Sequence, residues 1–137
     1  MMDISERMSR IKGKGNQTTE LRLIALFKQF GVVGWRRHQT FLKPGHGLRL
    51  IRPDFIFRKY KVAVFVDGCF WHACPKCYRP VKTNAVFWSE KVVRNRRRDR
   101  LATLSLKEMG WRVIRIWEHE LSKPDASAKR KILSISP

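Results

Sequence analysis

Three cysteines fall within nine residues, Cys69, Cys74 and Cys77, in the spacing C-x4-C-x2-C. The x2 interval suits two thiolates on one tetrahedral Zn²⁺, and a structural zinc site takes four protein ligands. The fourth is His72 or His119. One residue separates His72 from Cys74, an awkward chelate beside two other local ligands. His119 follows Trp117 and Glu118 at the end of a strand-like run and could swing beside the cluster, so chelate geometry favours it. An odd number of crowded thiols is a poor disulfide framework and points instead to metal ligation in a reducing compartment. Such a site is closed to water and therefore structural. Three free, half-buried thiols are the plainer alternative.

The second group with chemical potential is acidic. Asp54 follows Pro53 in one strand-like run, and Asp67 ends the next. A tight hairpin would bring both carboxylates to one end of a sheet. Hard oxygen ligands there suit Mg²⁺, which binds through one or two carboxylates while taking substrate phosphate oxygens. Glu20, in the first turn of a helix, is a third acid. His72, five residues beyond Asp67, could serve as general base if uncoordinated, since imidazole titrates near neutrality. Each has a simpler use: Asp67-Gly68 as a turn, Glu20 as a partner of the helix dipole.

The elements that must position these groups belong to one domain. The chain has 137 residues, with 8 Phe and 5 Trp, enough apolar area for a single core. Thirty Lys and Arg against eleven Asp and Glu leave a net charge of +19. So one-sided an excess repels itself unless a polyanion lies against it, nucleic acid first and an acidic membrane surface second. No run is long and apolar enough to span a bilayer, and no signal-peptide pattern opens the chain. Together with the thiols, this gives a cytoplasmic, nucleic-acid-facing protein with a metal site as the expectation.

Residues 1–17 read as a basic arm that contacts DNA, and 18–137 as the single folded domain. A helix is expected from about Thr18 to Phe30, capped by Thr18 or Thr19, with an apolar stripe of Leu21, Ile24, Ala25 and Phe27 and a stop at Gly31. Leu48 to Arg58 reads as a strand forming a hairpin with Val62 to Val66. Val62 to Val66 is apolar on both faces, as in a central strand. A long helix is expected over Ala85 to Met109, then a strand over Trp111 to Trp117. The order predicts an α/β (α+β) sandwich with a mixed sheet flanked by helices. The basic face of the long helix, Lys91, Arg94, Arg96, Arg97, Arg98 and Arg100, is placed to meet phosphates.

The run Val66-Asp67-Gly68-Cys69-Phe70-Trp71-His72 resembles the signature of the very-short-patch repair (Vsr) endonucleases. The resemblance continues through Lys82-Thr83-Asn84, Phe87-Trp88, Lys91, Asn95, Arg98-Asp99, Gly110-Trp111 and Trp117-Glu118, and upstream through Arg52-Pro53-Asp54-Phe55 and Thr18-Thr19-Glu20. It covers roughly residues 5 to 121. It implies a fold similar to the PD-(D/E)xK restriction-endonuclease core, with Asp54 holding Mg²⁺ and His72 activating the attacking water. By the same resemblance Glu20 orients that water or the imidazole, and Cys69, Cys74, Cys77 and His119 hold zinc. Met8, Phe70 and Trp71 match the family's wedge into the duplex, although aromatics more often pack in cores. Distortion costs least at a mispair, which makes such a wedge a source of selectivity. Two departures stand out: Asp67 occupies a position that is His in the best-known member, and the ligand types at 74 and 119 are exchanged. The stretch Lys43 to Arg49 is also longer than the compact family loop.

The expectation is therefore a monomeric, Mg²⁺-dependent DNA endonuclease that nicks one strand 5′ of the thymine in a T·G mismatch and so starts very short patch repair. Repair-pathway proteins are possible partners. The competing expectations are a restriction- or homing-type nuclease acting on paired DNA, and a zinc-stabilised DNA-binding module without catalysis.

Overall fold

The computed structural model describes residues 19–69, 84–122 and 126–136. Helix α1 covers 19–29. Strands β1 (Trp35–Arg37), β2 (Phe41–Gly45), β3 (Leu48–Ile51), β4 (Phe55–Phe57) and β5 (Val62–Asp67) follow. Then come helix α2 (Ala85–Glu108), strand β6 (Arg112–Trp117) and helices α3 (Glu118–Ser122) and α4 (Ala126–Leu133). Four strands form one sheet in the order β1-β4-β5-β6, and β2 pairs with β3 in a separate hairpin. The main sheet is mixed: β1, β4 and β5 are antiparallel neighbours, whereas β5 and β6 run parallel from Val62↔Arg112 to Asp67↔Trp117. A parallel pair needs a crossover, and α2 lies within it.

The apolar pattern of β4 and β5 explains the layering. Phe55, Phe57, Val62 and Val64 turn to one face and meet Leu23, Leu26 and Phe27 of α1 and Ile132 of α4. Ile56 and Ala63 turn to the other and meet Ala102 and Leu106 of α2 and Ile51 of the hairpin. Both faces are covered, as the unbroken Val-rich run requires. Phe27 is the hub of the first layer, edge-on to Phe55 at 5.3 Å and to Phe57 at 5.5 Å. Phe27→Ala is expected to cost about 3–5 kcal/mol, seen as a lower urea midpoint at unchanged m-value.

Three details correct the sequence reading. Leu48 to Arg58 is two strands: β3 belongs to the hairpin and β4 to the sheet, interrupted at Pro53, which has no N–H to give a ladder. The core face of α1 is Leu23, Leu26 and Phe27 with the expected Ile24 packed beside them, whereas Leu21 is 54% exposed and Ala25 points outward. The stretch 43–49 is the tip of the hairpin, where Lys43, Gly45, His46 and Gly47 all take positive φ. The long helix and last strand are found within a residue or so of their expected limits. Beyond them, α4 closes the first core layer, with Ala128 and Ile132 buried. Glu120 fastens it there: burial raises its carboxyl, but Lys131, the Trp117 N–H and Ser127 outweigh that and leave it below the ordinary value. Among the described residues no helix is long and apolar enough to cross a membrane.

Candidate active site

The start of β4 and the end of β5 meet at one end of the sheet, and that is where the acids gather. The Asp54 N–H donates to the Val64 carbonyl at 3.0 Å, extending the ladder by one residue. Its Oδ2 accepts from the Val66 N–H at 2.7 Å. The pairing of β4 with β5 thus orients the Asp54 carboxylate. Glu20, on the first turn described for α1, is buried; it pairs with Arg37 at the end of β1 and lies within hydrogen-bonding reach of Asp54. Burial pushes the Asp54 carboxyl up to about 7, and the hydrogen bond and charge of Glu20 and the charge of Asp67 add to the shift. The Val66 N–H opposes it.

Asp67 is deeper still, 5% exposed. Its two oxygens accept from Arg115 Nη1 at 2.9 and 3.2 Å. Arg115 is itself fixed on all sides. Its Nε donates to Thr103 Oγ1 at 3.1 Å, its Nη2 to the Asp99 carbonyl at 3.1 Å, and its guanidinium lies 4.2 Å from the Phe65 ring centroid. Arg115→Ala removes the cation from a buried carboxylate that faces a second one, and is expected to destabilise by about 3 kcal/mol. Parallel denaturation of Arg115→Ala and of Arg115→Ala with Asp67→Asn checks this, since the second change should recover much of the loss.

The parallel register also joins the distant thiol and imidazole. Asp67 pairs with Trp117, so two residues further on each strand exit bring Cys69 and His119 together, Sγ to Nδ1 at 3.4 Å. Both belong to the four ligands expected for zinc. His119 sits in the first turn of α3, not in a continuing strand. Cys74, Cys77, His72, Phe70, Trp71 and Met8 lie outside the described residues, as does the arm 1–17. On α2, the stripe Trp88, Val92, Asn95, Asp99, Ala102 and Leu106 is buried or half-buried. Arg94, Arg96, Arg97, Arg98 and Arg100 are left exposed, and Lys91 is half-buried with its Nζ 5.7 Å from the Trp88 ring centroid. Among the described residues no group of three or more His, Cys, Asp or Glu forms a ready-made metal cage.

Asp54, Asp67 and Glu20 are therefore brought to one place, and Arg37 and Arg115 are the partners that sequence reasoning missed. Arg115 had a signal. It shares a face of β6 with Val113, the face that α2 covers, and a charge there requires a buried counter-charge. Arg37 had none, because its partner lies 17 residues away on another element.

What this arrangement belongs to is settled by comparison with known proteins. The family profile described as DNA mismatch endonuclease Vsr matches residues 3–79. The chain is 44% identical over 117 residues to the type II nicking enzyme V.NaeI of Lentzea aerocolonigenes, covering 85% of this chain and 68% of that one. It is 38% identical over 127 residues to the type II nicking enzyme V.NmeDIP of Neisseria meningitidis serogroup C, covering 91% and 80%. Against the DNA mismatch endonuclease Vsr of Escherichia coli K12 the identity is 35% over 125 residues, covering 86% and 74%. Asp54, Asp67 and Cys69 all fall inside the matched profile, and with more than half of the chain so matched the protein belongs to the Vsr family and is a DNA endonuclease.

Proposed function

We propose that this endonuclease nicks one strand of a duplex 5′ of the thymine in a T·G mismatch, with Mg²⁺ at Asp54 and a structural zinc beside Cys69. The observation that carries the reading is the crowding of Asp54, Glu20 and Asp67 at one end of the sheet. Burial and two neighbouring acids raise Asp54 to about 7, so in the absence of a cation a proton does the neutralising. A divalent cation answers the same need. Asp54 is oriented by Val66 and hydrogen-bonded with Glu20, a cation would replace the proton of that bond, and a site with so few carboxylates suits Mg²⁺. Mg²⁺, when bound, would polarise the scissile phosphate and stabilise charge on the attacking and leaving oxygens. Glu20 orients Asp54 or water, and Arg37 holds Glu20 in place. Arg115 holds Asp67 in the active-site wall, where its charge adds to the demand for a cation. His72, three residues beyond Cys69 in the chain, is assigned the proton of the attacking water.

The zinc reading is supported by a length. With Zn–S near 2.3 Å and Zn–N near 2.0–2.1 Å, two tetrahedral ligands stand about 3.5 Å apart. The Cys69–His119 separation of 3.4 Å matches. Cys74 and Cys77 complete the set, and Phe70 and Trp71, next to Cys69, form the wedge with Met8 of the arm. The sheet with α2 in its crossover and the acids at one end suits a PD-(D/E)xK core, and a single site per chain suits a monomer that nicks.

The deciding experiment is strand-specific cleavage of labelled duplexes carrying a T·G mismatch or its paired control, with and without Mg²⁺. Nicking of the thymine strand of the mismatch only, and only with Mg²⁺, is expected. Equal cutting of the paired control would overturn the mismatch reading.

A further inference from the structure

The hairpin of β2 and β3 has no role in the chemistry above, yet it builds a surface. The hairpin and α2 enclose a groove of about 580 Å³. Phe65 and Ala102 lie in its floor, and Arg49, Arg52 and Arg98 in its walls, all three exposed. Among the described residues no carboxylate pairs with these three arginines, while Asp99, the acid that also lines the groove, is turned to Arg115. The walls are held apart at a set width. Phe41 of β2 packs edge-on against Trp111 at 5.1 Å, and His46 at the hairpin tip meets Glu108 at the end of α2 at 2.9 Å. The groove also leads to the candidate active site, because Arg52 stands two residues before Asp54 and Arg115 lines both.

Guanidinium groups are planar donors matched to phosphate oxygens, and an apolar floor suits the sugar face of a strand. We propose that this groove seats the DNA backbone beside the scissile phosphate, with Arg49, Arg52 and Arg98 on phosphates, making the hairpin a clamp on the duplex. The proposal rests on the nuclease reading, and it assigns this hairpin to substrate grip.

The test is the salt dependence of binding to a short fluorescein-labelled duplex without Mg²⁺, run beside the nicking assay. Each phosphate contact contributes about 0.9 to the slope of log K against log salt. Arg49→Gln and Arg52→Gln are each expected to lower the slope by about that amount, and Arg49→Lys to keep it. Lys59→Gln, the same charge change in the turn at the far end of β4 and β5, is expected to leave it unchanged. Slopes for Arg49→Gln and Arg52→Gln equal to that of Lys59→Gln, in a protein that nicks DNA, overturn the groove alone. Loss of slope in a protein that nicks nothing overturns the nuclease reading and keeps the groove as a DNA-binding surface.

Discussion

Asp54→Asn is expected to lower the nicking rate by roughly 10³-fold or more while leaving DNA affinity within a few-fold. The size follows from the several kcal/mol of charge stabilisation that a metal ion supplies to a phosphoryl centre, at 1.36 kcal/mol per factor of ten. The asparagine keeps the shape and the bond from Val66 but removes the anion. Its stability should move the other way. The folded carboxyl is raised from 3.8 to about 7, so protonated Asp54 favours the fold fully below about pH 3.8. That advantage is lost as pH rises through about 7. That difference corresponds to about 4 kcal/mol. Urea titrations of the Mg²⁺-free protein at pH 5 and pH 8 should show the parent weaker at pH 8, and Asp54→Asn with less of that difference. An active variant, or one as pH-sensitive as the parent, would remove Asp54 from the centre of the site.

The other large effect concerns zinc. Cys69→Ser should release the metal and leave the domain largely unfolded at 37 °C, because structural zinc in small domains is worth about 10–16 kcal/mol at neutral pH. Bound metal measured by elemental analysis is expected at one zinc per chain in the parent and near none in the variant. A strong chelator should unfold the parent, and added Zn²⁺ should restore it. The ligands bridge segments 50 residues apart, Cys69 and His119, so the metal would staple the exits of two adjacent strands. A metal-free parent with an ordinary melting curve would end the zinc reading.

How much of this was legible in the residues depended on range. Val62 to Val66 announced a strand covered on both faces, and the basic run on α2 announced an exposed flank, because each is a local pattern. Pro53 was read as part of a continuous strand, although its missing N–H is itself a local reason to divide that run. Asp54 and Asp67 were legible as a pair, since a hairpin and its register follow from spacing. The pairing of Glu20 with Arg37 was not, since an ion pair across elements depends on packing that no window of residues contains; Arg115 showed the need for a counter-charge, but not that Asp67 meets it. The helix at 126–133 escaped notice for another reason. Its buried face is only Ala128 and Ile132, too short a stripe to show a period.

The strand order has a consequence for how copies of this chain meet. With β1 and β6 outermost, each edge of the main sheet could template a strand from a neighbour, the usual start of aggregation. Both edges are guarded. One is only three residues long and carries the exposed Arg36; the other carries the exposed Arg112, and the Arg115 carbonyl is already taken by Lys131 at 2.9 Å. The positive charge that invites a nucleic acid thus also keeps two such sheets from stacking edge to edge. Bound polyanion would neutralise that repulsion, leaving the shortness of one edge and the lysine cap on the other to prevent polymerisation along crowded DNA.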